Sequence, residues 1–172
     1  MIFLFFNSNA QYKEWEDLSI FKINTEEPHT FFIPKDINGD SITKSLNGTW
    51  SFKLFKNDEL VPKDFYKNDF KKDDWQDIPV PSNWQFHTDD FPLYTNIVYP
   101  YEINPPFMPK EYNPIGLYQR EFSIDKNWND KQIFIHFGAV NSAFYLYING
   151  DFVGYSEGSK TPAEFDITKY LN

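Results

Sequence analysis

Amide and aromatic side chains recur within one stretch of the chain, and together they have the chemistry needed to bind a sugar. They are Asn83, Trp84, Tyr94, Asn96 and Asn104. A side-chain amide both donates and accepts hydrogen bonds, which suits sugar hydroxyl groups, and an aromatic ring covers the apolar face of a pyranose. An asparagine in a proline-rich loop equally well caps a turn. The pattern therefore leaves a sugar site and a set of structural turns both open.

These residues lie in a proline-rich, aromatic stretch that runs from Asp77 to Gly116. Proline fixes φ and lacks an N–H group, so the stretch is expected to be neither a helix nor a central strand. It is also dense in Trp, Phe and Tyr, which are scarce in disordered linkers. The sequence predicts a long, ordered loop. It is either an Ω-like loop packed on its own aromatic rings or a binding loop.

Motifs of several common enzyme classes are missing from the sequence. There is no glycine-rich phosphate loop, no helical HExxH motif and no nucleophile elbow. His136 sits in an apolar strand pattern, which favours a hydrogen-bonded sheet residue over a metal ligand. His87, beside Asp89 and Asp90, favours a loop surface. Arg120 is the only arginine, and we expect its guanidinium to form a structural fork to a carboxylate or a carbonyl.

Composition narrows the class of protein further. A chain of 172 residues predicts one domain. Its net charge of −9 and the absence of a basic run argue against nucleic acid and against anionic membrane surfaces as partners. Without cysteine there is no disulfide framework and no cysteine-type zinc site. No apolar run is long enough to span a bilayer.

The first 47 residues differ in pattern from the remainder. Residues 1–10 combine an apolar run with a small-residue cleavage pattern, which favours the remnant of a secretory signal over an ordinary apolar strand. This predicts a periplasmic or secreted protein, with a cytoplasmic one as the alternative. Residues 11–47 show no clear period. We expect an extended arm that packs Trp15, Phe21 and Phe31 onto the domain.

Residues 48–172 show the alternation and turn signals of an all-β protein. Asn149-Gly150 is the dipeptide of a type I′ hairpin turn, and Thr168 is placed to cap a final turn. Short strands and little helical periodicity predict a β-sandwich, expected to be incomplete at its C-terminal strands. The predicted strands are Gly48–Phe55, Gly116–Ile124, Gln132–Phe137, Ser142–Ile148, Asp151–Tyr155 and Ala163–Ile167.

Seven ordered motifs resemble the N-terminal domain of β-galactosidases of glycoside hydrolase family 2. The resemblance runs from about Glu14 to the C-terminus. The run YTN…YP…NPP resembles the β-galactosidase branch more than the related β-glucuronidases and β-mannosidases. The motifs are LNGTWSF, VPSNWQ, PLYTNIVYP, INPPFMP, NPIGLYQREF, FGAVNSAFYLYINGDFVGYS and GSKTPAEFDIT.

The resemblance implies a jelly-roll domain of the galactose-binding type. In the family an immunoglobulin-like domain and a TIM barrel follow, and the barrel carries the two catalytic glutamates of a retaining reaction. This chain is therefore predicted to have no catalytic residue and no activity alone. The resemblance also implies that Asn96 reaches a galactose hydroxyl, with Ile97 beside it where the family often has Val.

A structural magnesium site is also implied by the resemblance. The matching positions are Glu14, Asp17, the carbonyl of Ile20, and Glu157. Oxygen ligands suit Mg²⁺, but the residues are not identical to those of the family. Surface carboxylates without a metal are the alternative. The resemblance places Mg²⁺ and Na⁺ in the full enzyme and assigns no cofactor to this chain itself.

The expected partners follow from the same resemblance. They are a β-galactoside, the other domains of the same enzyme and further copies of it in a homo-oligomer. Two other functions stay open. One is a free-standing carbohydrate-binding module, and the other is a structural or interface β-sandwich without sugar affinity.

Overall fold

The computed structural model describes residues 13–92 and 101–172. The predicted signal remnant at residues 1–10 lies outside the described residues, as do Tyr94, Asn96 and Ile97. Over the described ranges the chain is all-β, with strands joined by short 3-10 turns. None of the helices in these ranges is long and apolar enough to cross a membrane.

The strands form three antiparallel sheets. Their orders are β1-β7-β6, β3-β2-β4 and β5-β8. The strands are β1 (Lys22–Ile23), β2 (Gly48–Phe55), β3 (Gln76–Val80), β4 (Ile115–Gln119), β5 (Phe134–Phe137), β6 (Ala143–Ile148), β7 (Asp151–Glu157) and β8 (Ala163–Asp166).

The core of the domain lies where strands β5 to β8 pack on one another. Buried positions alternate with more exposed ones in β5, in β8 and at the end of β6, so these strands bury one face. The all-β sandwich predicted from the alternation is confirmed. The buried residues of this cluster are Ile135, Leu146, Ile148, Val153, Ala163, Phe165 and Ile167.

The predicted hairpin between β6 and β7 is present. Asn149 has φ of 53° and Gly150 has φ of 92°, the two positive values that a type I′ turn requires. The strands pair from Ile148↔Asp151 to Ala143↔Glu157, with an irregularity after Leu146. The turn chemistry therefore fixes the register of the longest strand pair in the core.

Strand β2, which the alternation predicts, is the centre of the second sheet. Phe52 is fully buried, and Ile78 on β3 and Leu117 on β4 are also buried. The sequence does not predict strand β3, because it contains Pro79 and four of its five residues lie in the stretch expected to be a loop. Pro79 lies opposite Thr49 on an edge strand, where a missing N–H group costs no ladder bond.

Several predicted strand ends and one predicted cap are wrong. The strand predicted for Gly116–Ile124 ends at Gln119, and the one predicted for Gln132–Phe137 begins at Phe134. Thr168 does not cap the last turn. Its hydroxyl donates to Asp166 Oδ1 at 2.5 Å and accepts from the backbone N–H of Ile133 at 2.9 Å, so it joins the ends of β5 and β8.

The segment before β2 is held to the domain by hydrogen bonds of its backbone and of its side chains. The N–H of Glu157 donates to the carbonyl of Phe21 at 3.1 Å, and that of Glu26 donates to Glu164 at 2.8 Å. The predicted packing is wrong for two aromatic residues. Phe21 is 58% exposed, and Phe31 is 70% exposed although its ring centroid lies 6.0 Å from that of His136.

Trp15 follows the prediction. Its ring meets Tyr145 of β6 edge-on, with centroids 5.9 Å apart, and it is half-buried. This edge-on contact supplements the hydrogen bonds that hold the first segment.

Candidate functional site

The two predicted asparagines that are described lie at turns and are exposed. The carbonyl of Asn83 accepts from the N–H of Phe86 at 3.1 Å, which closes the 3-10 turn Trp84–Phe86. The side chain of Asn83 makes no capping hydrogen bond. The carbonyl of Asn104 accepts from the N–H of Phe107 at 2.9 Å. In both cases the turn is closed by the backbone, which leaves the amide side chain available to solvent or a ligand.

Trp84 packs inward and does not present a free ring to solvent. Its ring stacks against Phe52 of β2, with centroids 6.2 Å apart and planes 30° apart. Gly116 of β4 leaves room for it, because a Cβ atom there would lie 2.8 Å from Trp84 Cζ3. Trp84 is therefore a packing residue, which excludes it as an open platform for a sugar.

Asp90 lies at the centre of a group of hydrogen bonds that the sequence does not predict. Trp84 Nε1 donates to Asp90 Oδ2 at 2.5 Å, and Gln85 Nε2 donates to the same oxygen at 3.2 Å. The hydroxyl of Tyr112 donates to Oδ1. We call Trp84, Gln85, Asp90 and Tyr112 the Asp90 cluster. The separation of Tyr112 from Asp90 by 22 positions leaves no local pattern that reveals the pair.

The environment of Tyr112 favours its neutral, donating form. Burial, and then the hydrogen bond to Asp90, raise the pKa of Tyr112 to about 12. Its ring stacks on Phe91, with centroids 5.6 Å apart and planes 5° apart. Tyr112 therefore donates to Asp90 throughout the physiological pH range.

The segment that carries Asn96 and Ile97 lies between the members of this cluster in the chain. Both residues fall outside the described ranges, so their role as a sugar contact stays a prediction. The described chain before them ends at Pro92, and the described chain after them begins at Tyr101. What the structure adds is the Asp90 cluster, which connects the two flanks.

Three other residues behave as the sequence predicts. Arg120 Nη1 donates to the carbonyls of Asn47 and Thr49 at 3.2 and 3.3 Å, which is the expected structural fork. His136 Nδ1 lies 3.1 Å from Glu164 Oε2 on the neighbouring strand. His87 Nε2 lies 2.8 Å from the hydroxyl of Ser82. None of these contacts indicates a ligand site.

Two of the four predicted magnesium ligands accept hydrogen bonds from a pair of neighbouring tyrosines. The hydroxyl of Tyr145 donates to Glu14, and that of Tyr155 donates to Glu157 Oε2 at 2.7 Å. The two rings are cross-strand neighbours, with centroids 4.9 Å apart. Burial is the larger cause and the hydrogen bonds are the second cause that raise the pKa of each phenol far above the ordinary value for tyrosine.

The other two predicted ligands make local contacts. Asp17 Oδ1 accepts from the N–H and hydroxyl of Ser19 at 3.0 and 2.6 Å, and these bonds lower the pKa of Asp17. The N–H of Ile20 donates to the carbonyl of Asp17 at 2.9 Å. Within residues 13–92 and 101–172, no three His, Cys, Asp or Glu residues are grouped closely enough to hold a metal. The described residues therefore do not form a cation cage, and magnesium binding stays a prediction.

This chain matches one family model and individual relatives among known proteins. The model of the family "Glycosyl hydrolases family 2, sugar binding domain" matches residues 43–172. The chain is 42% identical to a β-galactosidase of Priestia megaterium, over 93% of this chain and 17% of that protein. It is 42% identical to a β-galactosidase of Vibrio vulnificus, over 96% of this chain and 17% of that protein. The chain thus spans about one sixth of these curated relatives.

Solved structures support the same fold. A β-glucuronidase of an uncultured Clostridium species superposes with a TM-score of 0.53 at 26% identity, over 75% of this chain and 20% of that chain. A β-glucuronidase of Ruminococcus gnavus superposes with a TM-score of 0.52 at 23% identity, over 75% of this chain and 19% of that chain. The family match covers strands β2 to β8 and the Asp90 cluster. The chain therefore belongs to glycoside hydrolase family 2, as a sugar-binding domain of that family.

Proposed function

We propose that this chain is the N-terminal sugar-binding domain of a retaining β-galactosidase. Its curated relatives named β-galactosidase are 42% identical over more than nine tenths of the chain. The superposed β-glucuronidases are 26% and 23% identical over three quarters of it. The higher identity over a longer span is the observation that carries the choice of galactoside over glucuronide.

The domain contributes a contact to the substrate and leaves bond cleavage to the rest of the enzyme. Asn96 offers an amide that both donates to and accepts from a sugar hydroxyl. The two catalytic glutamates that the family resemblance implies belong to a separate barrel domain. Asn96 therefore affects how well the sugar is held in the transition state, while the acid and the nucleophile are supplied elsewhere.

The test is substitution of Asn96 in the full-length enzyme. Asn96→Ala removes one hydrogen bond to the sugar. We therefore expect kcat/KM for a nitrophenyl β-galactoside to fall by the factor that corresponds to a loss of about 1–3 kcal/mol in transition-state stabilisation. Asn127→Ala is the matched control, because Asn127 is an exposed residue of the turn Lys126–Trp128, outside the stretch that holds the candidate sugar contacts. Equal kcat/KM values for the wild type and Asn96→Ala would remove the proposed contact.

An interface domain without sugar affinity is the second candidate. Several apolar side chains close to the Asp90 cluster in sequence are open to solvent. Phe86 is 79% exposed, Phe91 is 56% exposed and Ile103 is 78% exposed, which is typical of a surface that another domain covers. This function predicts that Asn96→Ala changes the stability of the full enzyme and leaves its kcat/KM unaltered.

Calorimetric titration separates a partial site from a complete one. We expect no measurable heat when galactose or lactose is added to the 172-residue chain, with or without magnesium, because one loop contact does not offset the cost of association. Heat that disappears in Asn96→Ala would instead indicate a free-standing carbohydrate-binding module.

A further inference from the structure

Three Asn-Gly dipeptides in the chain share the chemistry of one spontaneous reaction. They are Asn38-Gly39, Asn47-Gly48 and Asn149-Gly150. The backbone nitrogen of the glycine attacks the side-chain Cγ of the asparagine, and an N–Cγ bond forms. The Cγ–Nδ2 bond breaks, and ammonia leaves with the proton that the backbone nitrogen loses. Water then opens the resulting succinimide to aspartate or isoaspartate. Glycine favours the reaction because it has no side chain to hinder its nitrogen.

In a folded protein this reaction requires a local opening of the chain. The asparagine must rotate until its Cγ meets the glycine nitrogen, so the hydrogen bonds that hold the dipeptide must break first. The native rate is therefore the rate in an unfolded chain multiplied by the fraction of time for which the dipeptide is open. The three dipeptides differ in what their opening disrupts.

Asn149-Gly150 is held by side-chain bonds and by the core. Asn149 Nδ2 donates to the carbonyl of Tyr170 at 2.8 Å, and its own carbonyl accepts from Asn68 Nδ2 at 3.3 Å. The dipeptide forms the turn between β6 and β7, and the adjacent Ile148 belongs to the buried core. Opening here breaks these bonds and disturbs the core, so the fold should protect Asn149.

Asn47-Gly48 is held by the β3-β2-β4 sheet. Gly48 is the first residue of β2 and pairs with Val80 of β3. The carbonyl of Asn47 accepts a hydrogen bond from Arg120 Nη1 at 3.2 Å. Asn47 is exposed, but its rotation would unpair the end of β2 and break the contact with the guanidinium. The sheet should therefore protect this dipeptide as well.

Asn38-Gly39 lies in an exposed turn between the strands β1 and β2. The adjacent Ile37 is 100% exposed, and the turn is closed by a bridge between Lys35 and Ser41. Asn38 Nδ2 lies 3.5 Å from Asp36 Oδ2, close to the limit of a hydrogen bond. The N–H of Gly39 donates to the carbonyl of Asp36 at 3.0 Å. Opening here breaks turn bonds around Asp36 and displaces no residue of the buried core cluster.

We propose that Asn38 is a site of spontaneous deamidation in the native protein, whereas the fold protects Asn47 and Asn149. This inference does not depend on sugar binding. The product adds one negative charge to a chain whose net charge is −9. A carboxylate then replaces the amide that faces Asp36 Oδ2, and the two like charges repel each other. The modified turn should therefore be more open than the original one.

The experiment is peptide mapping of the full-length enzyme after incubation in a mildly alkaline buffer. Mass spectrometry measures the deamidated fraction of each of the three Asn-Gly peptides over time. We expect Asn38 to deamidate at least about tenfold faster than Asn47 and Asn149. Incubation in urea is the control. Once the fold is removed, the three rates should agree within about threefold, because the reacting dipeptides are identical.

A variant of the turn tests whether its opening limits the reaction. Asp36 Oδ1 accepts from the N–H groups of Asn38 and Asp40, both at 2.9 Å. Asp36→Ala removes this acceptor, so the turn should open more often and the rate at Asn38 should rise about threefold. Asp64→Ala is the matched control, because Asp64 is an exposed aspartate outside this turn, and it should leave that rate unchanged.

Several results would overturn the inference. One is an intact Asn38, or a rate at Asn38 no higher than the rates at Asn47 and Asn149 in the native protein. Another is a lead of Asn38 that persists unchanged in urea, since the flanking sequence and not the fold would then set the rate. An unaltered rate at Asn38 in Asp36→Ala would also overturn it, because turn opening would not be the limiting step.

Discussion

Gly116 leaves the space that Trp84 occupies. A Cβ atom on Gly116 would lie 2.8 Å from Trp84 Cζ3 and 2.8 Å from Phe52 Cε2. This is closer than a Cβ atom approaches other heavy atoms without a shift of one of them. The absence of a side chain on β4 thus lets the indole pack on the sheet and direct Nε1 toward Asp90.

Gly116→Ala should therefore destabilise the domain. We expect a loss of about 1–3 kcal/mol in the free energy of unfolding, because the added methyl group must displace two packed rings. Urea unfolding followed by tryptophan fluorescence measures it. Gly138→Ala is the matched control, since a Cβ atom there would have no neighbour within 4 Å. Equal unfolding midpoints for the two variants would contradict the packing described for Trp84.

Tyr145→Phe tests the connection between Glu14 and strand β6. The substitution removes the phenol that donates to Glu14 and keeps the ring against Trp15. A hydrogen bond to a charged group contributes about 1.5–3 kcal/mol, so we expect a decrease toward the lower end of that range for this half-buried pair. Tyr66→Phe is the control, because Tyr66 is 37% exposed. A Tyr145→Phe variant as stable as Tyr66→Phe would contradict a stabilising role.

His29 should make stability depend on pH. Its pKa is raised, first by the carbonyl of Thr30 and then by the carboxylate of Glu164. Only the imidazolium donates from Nδ1 to Thr30 and from Nε2 to Glu164 together. A group with a raised folded pKa stabilises the fold fully below its unfolded pKa, and this contribution disappears as the pH rises through the folded value.

The measurement is urea unfolding at several pH values between 5.5 and 8, roughly the range in which histidine titrates. We expect the difference in stability between the wild type and His29→Gln to be largest at the acid end and to vanish at the alkaline end. Glu164→Gln should reduce the same difference, because it removes the second cause of the raised pKa. A difference that is constant with pH would contradict the assignment.

Local chemistry predicts those parts of the fold that depend on neighbours in sequence. The alternation of Trp50, Phe52 and Leu54 predicts β2 with its correct bounds. Asn149-Gly150 predicts the β6-β7 hairpin, because only residues that tolerate positive φ form such a turn. The motifs between residues 43 and 172 also predict the family correctly.

What the sequence does not predict depends on contacts between distant residues. The sequence does not predict strand β3, because Pro79 argues against a strand although an edge strand tolerates it. The inward packing of Trp84 depends on Gly116, which lies 32 positions later. The role of Asp90 depends on Tyr112, 22 positions away. The exposure of Phe31, whose ring lies against His136 of β5, also depends on a distant strand and is not revealed by a hydrophobic pattern.

The central claim is that the domain serves a β-galactosidase, and substrate discrimination tests it most directly. The full-length enzyme should be assayed with nitrophenyl β-galactoside and nitrophenyl β-glucuronide, which differ in the configuration at C4 and in carrying a hydroxymethyl group or a carboxylate at C6. The account predicts that kcat/KM for the galactoside exceeds that for the glucuronide by at least about 100-fold, since a site built for a hydroxyl group rejects a carboxylate there. A preference for the glucuronide, or hydrolysis of neither compound, would contradict it.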